Sequence, residues 1–245
     1  MKIIFIKLTL LAVLIVVVQK SAFALDASQI SCLIEPSEKI KIASQVQGVV
    51  KSVNGERGDS VKKGEVLITL EQGLEVAEVN QAQAKVEFSK RKLDRNQELI
   101  KDGLLTANEA DEILTEYEVD KLELKIAEAH LEQKIIYSPV SGVITDRLVS
   151  KGEYAGIEPL MILAVLDPLH AEVIMDASLY GTVKKGMKVE VIPDGRQNET
   201  HAGVIKIVDR IIDAASSTFG VQVELPNPDF KITAGLKCNI HYPDN

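Results

Sequence analysis

QGVVKSVNGERGD at residues 47–59 and SGVITDRLVSKGE at residues 141–153 decide the fold. In each, a glycine and two apolar β-branched residues (Gly48-Val49-Val50, Gly142-Val143-Ile144) precede a second glycine and a carboxylate (Gly58-Asp59, Gly152-Glu153) by ten positions, so the two copies are offset by 94 residues. Each then runs into an apolar strand, Glu65 to Leu70 and Leu160 to Leu166. β-branched residues bounded by Gly-Glu-Arg-Gly-Asp and Lys-Lys-Gly turn signals read as strand, turn and strand. Neither half is large enough to bury its own apolar face, so the two are expected to close on each other as a flattened β-sandwich.

Between the copies the period changes. From Leu74 to Ile136 there is no proline, and Glu, Lys, Leu, Ala and Gln dominate, as in a long exposed helix. Val79, Val86, Leu93 and Ile100 recur every seven residues, with Ala82, Ser89 and Asn96 three positions on. Ala110, Tyr117, Leu124 and Leu131 form a second stripe, accompanied by Ile113, Asp120, Ala127 and Lys134. Both stripes have the coiled-coil heptad period, with one of the two seam positions reliably apolar. Gly103 can end the first helix in a left-handed cap, and Thr106-x-x-Glu109 is a capping box that starts the second. The expectation is an antiparallel hairpin about 40 Å long, at 1.5 Å per residue. A narrow seam leaves its other faces wet, and such a rod has little reason to exist except to reach something.

Working outward, Leu169 to Asn245 reads as short strands separated by Lys185-Gly186, Pro193-Asp194-Gly195 and Pro226-Asn227-Pro228 turns, a small antiparallel barrel. Ile30 to Glu35 could add a strand to it, bringing Cys32 beside Cys238. With two cysteines in an exported chain only one intrachain bridge is possible, and two buried free thiols are the alternative. At the N-terminus, Lys2 and Lys7, the apolar run Leu8 to Val18 and Ala22-Phe23-Ala24 read as a cleavable export signal, against the rival reading of an uncleaved anchor. The expected organisation is a signal peptide at 1–24, a strand at 25–39 joining the barrel, a split sandwich at 40–72 and 137–167, the hairpin at 73–136 and the barrel at 168–245. The chain is thus mainly β with one long helical hairpin.

Composition narrows the function. A net charge of -8 over 245 residues, with 4% aromatics and no Trp, gives no nucleic-acid footprint. His130, His170, His201 and His241 are scattered without metal-ligand spacing, the glycine turns are not phosphate loops, and the serines lack a nucleophile-elbow context. No catalytic, cofactor or metal site can be assembled, so the expectation is a non-enzyme.

The split sandwich, its inserted hairpin and the following barrel resemble the periplasmic adaptor subunits (membrane fusion proteins, HlyD-like) of tripartite efflux pumps, especially those serving resistance-nodulation-division transporters. The resemblance rests on Gly58-Asp59-x-Val61-x-x-Gly64-x-x-Leu67, Ser138-Pro139-x-x-Gly142-x-Ile144, Asp167-Pro168-Leu169, Asn227-Pro228 and Ala234-Gly235-Leu236. It covers nearly the whole chain after the export signal and implies a biotinyl/lipoyl-like sandwich. Family hairpin tips carry an Arg, a Leu four residues on and a Ser seven beyond that; Arg95, Leu99 and Thr106 stand at that spacing, with Thr for Ser. The resemblance implies that these three touch an outer-membrane channel, Arg95 as donor, Leu99 as an apolar contact and Thr106 as a polar one. It also implies an inner-membrane transporter partner, a ring of copies such as a hexamer, and a periplasmic location. The membrane-proximal domain of larger members is expected to be missing. Two other readings stay open: an exported scaffold or adhesin whose coiled coil binds another partner, and a modified lipoyl or biotinyl carrier.

Overall fold

The computed structural model describes residues 30–196 and 199–241. The export-signal reading falls on residues outside that range. The chain divides into two compact units, one built from Ala171–Val223 with the two terminal segments, the other from Ile34–His170 with Glu224–Gly235.

The second unit is the sandwich. Strand β1 (Ile30–Ile42) enters it, followed by β2 (Gly48–Val53), β3 (Ser60–Val61), β4 (Val66–Leu70), helices α1 (Gly73–Lys101) and α2 (Ala107–Glu132), β5 (Ile135–Tyr137), β6 (Gly142–Arg147), β7 (Tyr154–Ala155) and β8 (Met161–Asp176). One sheet has the order β5-β4-β2-β7, and β3, β6 and the start of β8 pair as the other layer. Their shared core is aliphatic, and it repeats: Ile42, Val50, Val61 and Leu67 are buried, and so are Ile136, Ile144, Ala155 and Met161, each 94 positions later.

The same symmetry governs the backbone. Gly58 N–H donates to Ile144 O at 2.8 Å, and its counterpart Gly152 N–H donates to Val50 O at 2.8 Å. Ile144 N–H to Asp59 O (2.9 Å) is matched by Val50 N–H to Glu153 O (2.8 Å). The carboxylates that follow the glycines cap their turns alike, Asp59 accepting from Glu56 N–H and Glu153 from Ser150 N–H, both at 2.8 Å. Each half therefore supplies hydrogen-bond partners to the other half's turn, so that the two turns are satisfied only with the halves closed on each other. Gly142 has a steric reason as well: a Cβ there would lie 2.5 Å from the Ala164 carbonyl oxygen.

The remaining strands, β9 (Lys188–Pro193), β10 (His201–Val208), β11 (Thr218–Leu225) and β12 (Lys237–His241), form the barrel. The order β1-β12-β9-β10-β11-β8, with a further β1–β8 pairing, closes the ring of strands. Alternation fills it: Phe219, Val221, Val223 and Leu225 of β11 are buried in turn, as are Leu169, Ala171, Val173 and Met175 of β8. β8 runs without interruption through Asp167-Pro168, where the sequence suggested a boundary between modules. Cys32 pairs directly with Cys238 across β1 and β12, and the two are joined by a disulfide.

Candidate functional site

α1 and α2 pack together and run antiparallel, with Lys85 Nζ 2.7 Å from Glu123 Oε2 and Lys92 Nζ 2.6 Å from Glu116 Oε2. These hydrogen bonds raise both lysines above the ordinary lysine pKa. Along the seam the heptad positions are buried or half-buried, but the most buried are the smaller ones, Ala82 and Ser89 of α1 and Ala127 of α2, with Ile113. Small side chains let two helices approach closely, so the stripe that is less apolar in sequence lies deepest. Ser89 costs little there because its hydroxyl bonds to Lys85 O (3.1 Å) and Val86 O (3.3 Å) of its own helix.

The pair is tied down at its base. Lys134, just past α2, lies 3.0 Å from Glu75 in the first turn of α1, both side chains only about 15% exposed, and its Nζ also reaches Gln47 O at 3.4 Å. The Lys134 hydrogen bond holds the Glu75 carboxyl below the usual range. A carboxylate there also suits the positive end of α1.

At the far end the turn is built by two caps. Gly103 takes φ +66°, its N–H donates to Ile100 O, and Leu104 N–H donates to Leu99 O at 2.9 Å, a Schellman arrangement. Thr106 then opens α2 with a complete capping box: its hydroxyl accepts from Glu109 N–H (3.3 Å), while Glu109 Oε2 accepts from Thr106 N–H (2.9 Å) and from the hydroxyl itself (2.7 Å). These bonds lower the Glu109 pKa. The Thr106 hydroxyl proton is thereby committed, leaving only a lone pair for any external partner.

The three tip residues suggested by spacing lie at the far end of the helical pair, all exposed. Arg95 makes no ion pair among the described residues. Leu99 is 40% exposed, and Leu104, which sequence reading passed over, is 69% exposed. The signal for Leu104 was present: the residue after a C-terminal glycine cap is held beside the one five positions earlier. Residues 94–112 carry six carboxylates against only Arg95 and Lys101.

Among the described residues there is no His, Cys, Asp or Glu group able to hold a metal ion, and no helix long and apolar enough to cross a membrane. Residues 38–166 match the CzcB-like barrel-sandwich hybrid domain, and residues 169–244 the CusB-like β-barrel domain. The chain belongs to the family of membrane fusion adaptor proteins. That family is one of adaptors, not enzymes. Its relatives include the efflux pump periplasmic linker BepD of Brucella suis, 22% identical over 80% of this chain and 57% of that protein. The solvent efflux pump periplasmic linker SrpA of Pseudomonas putida is 19% identical over 80% of this chain and 56% of its own length. The chain thus spans somewhat more than half the length of these curated relatives. In fold it is similar to a MacA–MexA chimera carrying the Pseudomonas aeruginosa MexA α-hairpin domain, at 20% identity, with TM-score 0.73 over 88% of this chain and 81% of that one.

Proposed function

We propose that this protein is a periplasmic adaptor that links an inner-membrane efflux transporter to an outer-membrane channel, with the tip of its helical pair contacting the channel. The observation that carries the reading is the tip itself: two caps fix a tight turn that displays Arg95, Leu99 and Leu104 at the end of a helical pair anchored at its base. In this reading the pair acts as a coiled-coil hairpin. Arg95, which has no ion-pair partner among the described residues, donates to the channel, Leu99 gives an apolar contact, and Thr106 offers its free lone pair while holding the turn. The excess of carboxylates around Arg95 favours a channel surface with a basic rim.

Copies of the chain assemble as a ring around the transporter. Val119, Leu122 and Ile126, at i, i+3 and i+7 on α2, leave an exposed apolar stripe suited to a neighbouring copy. Export to the periplasm through residues 1–24 completes the reading.

A photocrosslinker at position 99, introduced in cells, tests it. The expected product is a conjugate with an outer-membrane channel that disappears on Arg95→Ala, together with a loss of solute tolerance at unchanged protein level. Conjugates only with some other protein, or unchanged tolerance in both Arg95→Ala and Leu99→Ala, would overturn the reading.

A further inference from the structure

Within the sandwich unit, a cleft of about 440 Å³ opens between β1, β6, β8 and the segment before β12. Its walls are Ile34, Val143, Ala164, Leu166 and Ile232, and Phe230 stands at its lip. Ile34, Ala164 and Ile232 are buried, whereas Phe230 is 50% exposed. Phe230 also has φ +52°, a left-handed conformation that a bulky residue rarely adopts.

The loop is held in that shape from below. The buried Asn227 donates its amide to Leu166 O and Ile232 O, both at 3.0 Å, and accepts from Ile232 N–H at 2.9 Å, while its backbone N–H donates to Asp167 Oδ1 at 2.8 Å. Phe230 N–H closes the turn onto Asn227 O at 3.0 Å. A strained aromatic kept half in water, on a loop locked by buried hydrogen bonds, points to a use for its ring.

The polar inventory decides what fits. The Thr145 hydroxyl bonds to Ile162 O, the Asn227 amide is fully used, and the backbones of Val143 and Ala164 pair with each other across β6 and β8. Besides Thr145, the polar side chains of the lining are Glu35, Lys39 and Thr233, none of them buried, and the rest are apolar. A peptide or a charged molecule entering the cleft would lose its hydration and find few replacements, a cost an uncharged apolar ring escapes. The volume lies within the range of about 300–1,000 Å³ typical of small-molecule sites.

We propose that the cleft under Phe230 binds small uncharged aromatic molecules. The inference does not depend on the tip contacting a channel, and its test involves no partner protein.

The purified full chain is titrated with N-phenyl-1-naphthylamine, whose fluorescence rises and shifts blue in apolar surroundings. Saturable one-to-one binding is expected. Phe230→Gly removes the ring and relieves the left-handed backbone, so it should leave the melting temperature unchanged or higher while weakening binding about fivefold, the value of one aromatic contact. Ile174→Ser, at an exposed barrel position, should leave binding unchanged. Non-saturable binding, equal affinity in Phe230→Gly, an equal loss in Ile174→Ser, or tighter binding of the anionic 1-anilinonaphthalene-8-sulfonate would each overturn the proposal.

Discussion

Thr106→Ala isolates what the tip hydroxyl does. In the wild type that hydroxyl accepts the Glu109 N–H and donates to the Glu109 carboxylate, so the substitution removes a cap from α2 and one hydrogen bond from the carboxylate. Loss of an N-terminal cap of this kind costs about 1 kcal/mol, within a range of roughly 0.5–2. Because the turn lies at the far end of the helical pair, that cost is felt locally as fraying. At 25 °C, 1 kcal/mol is about a fivefold change in an opening equilibrium, so amide exchange at Glu109 and Ala110 should speed up about fivefold, with the exchange of β6 and β8 unaltered. Thr106→Asn keeps a cap of similar strength without the hydroxyl and should restore wild-type exchange. If the cap is also how Thr106 serves partner binding, Thr106→Asn restores crosslinking from position 99 and Thr106→Ala reduces it. Unchanged exchange in Thr106→Ala would refute the capping argument. Restored exchange with crosslinking still lost in Thr106→Asn would show that the hydroxyl itself is the contact.

Other perturbations follow from the same geometry. The Cys32–Cys238 bridge spans 206 residues, for which the chain-entropy relation gives about 5 kcal/mol, so Cys32→Ser should lower unfolding free energy by about 2–5 kcal/mol in urea titration; two alkylatable thiols in unreduced protein would contradict the bridge. Ile144→Ala, at a fully buried site, should cost about 2–5 kcal/mol, and Val50→Ala at the symmetry-related position somewhat less because fewer methyl groups are lost; a cost under 1 kcal/mol for Ile144→Ala would mean the core collapses around the gap. Glu75 and Glu109 both have carboxyl pKa values held below the ordinary 4.5, so their contributions are complete above that pH and are lost as pH falls through the folded-state values. Carboxyl NMR titration should therefore show both carboxyls titrating below 4.5, with the base and tip of the helical pair loosening as pH falls through those lowered values and not before; a midpoint above 4.5 for either residue would reverse the sign.

The sequence by itself determined the features that neighbouring residues specify. Gly103 and the Thr106-x-x-Glu109 box marked the turn because capping is satisfied within four residues of chain, and the caps form as those residues dictate. The heptad stripes marked which faces of α1 and α2 meet, and the 94-residue offset marked two halves of one sandwich. Tertiary structure alone decided what depends on groups far apart in sequence. The paired bonds between Gly58 and Ile144 and between Gly152 and Val50 exist only after the halves close. The heptad reading marked Val86 and Leu93 together with Ala82 and Ser89 as seam positions without ranking their depth, and packing buried Ala82 and Ser89 the most. Hydrophobicity scales rank side chains singly, and packing ranks them by how near two backbones can come. Phe230 shows the same limit: its turn closes locally onto Asn227, but the contacts that anchor Asn227 beneath it, to Leu166 O and Asp167 Oδ1, come from some 60 residues away.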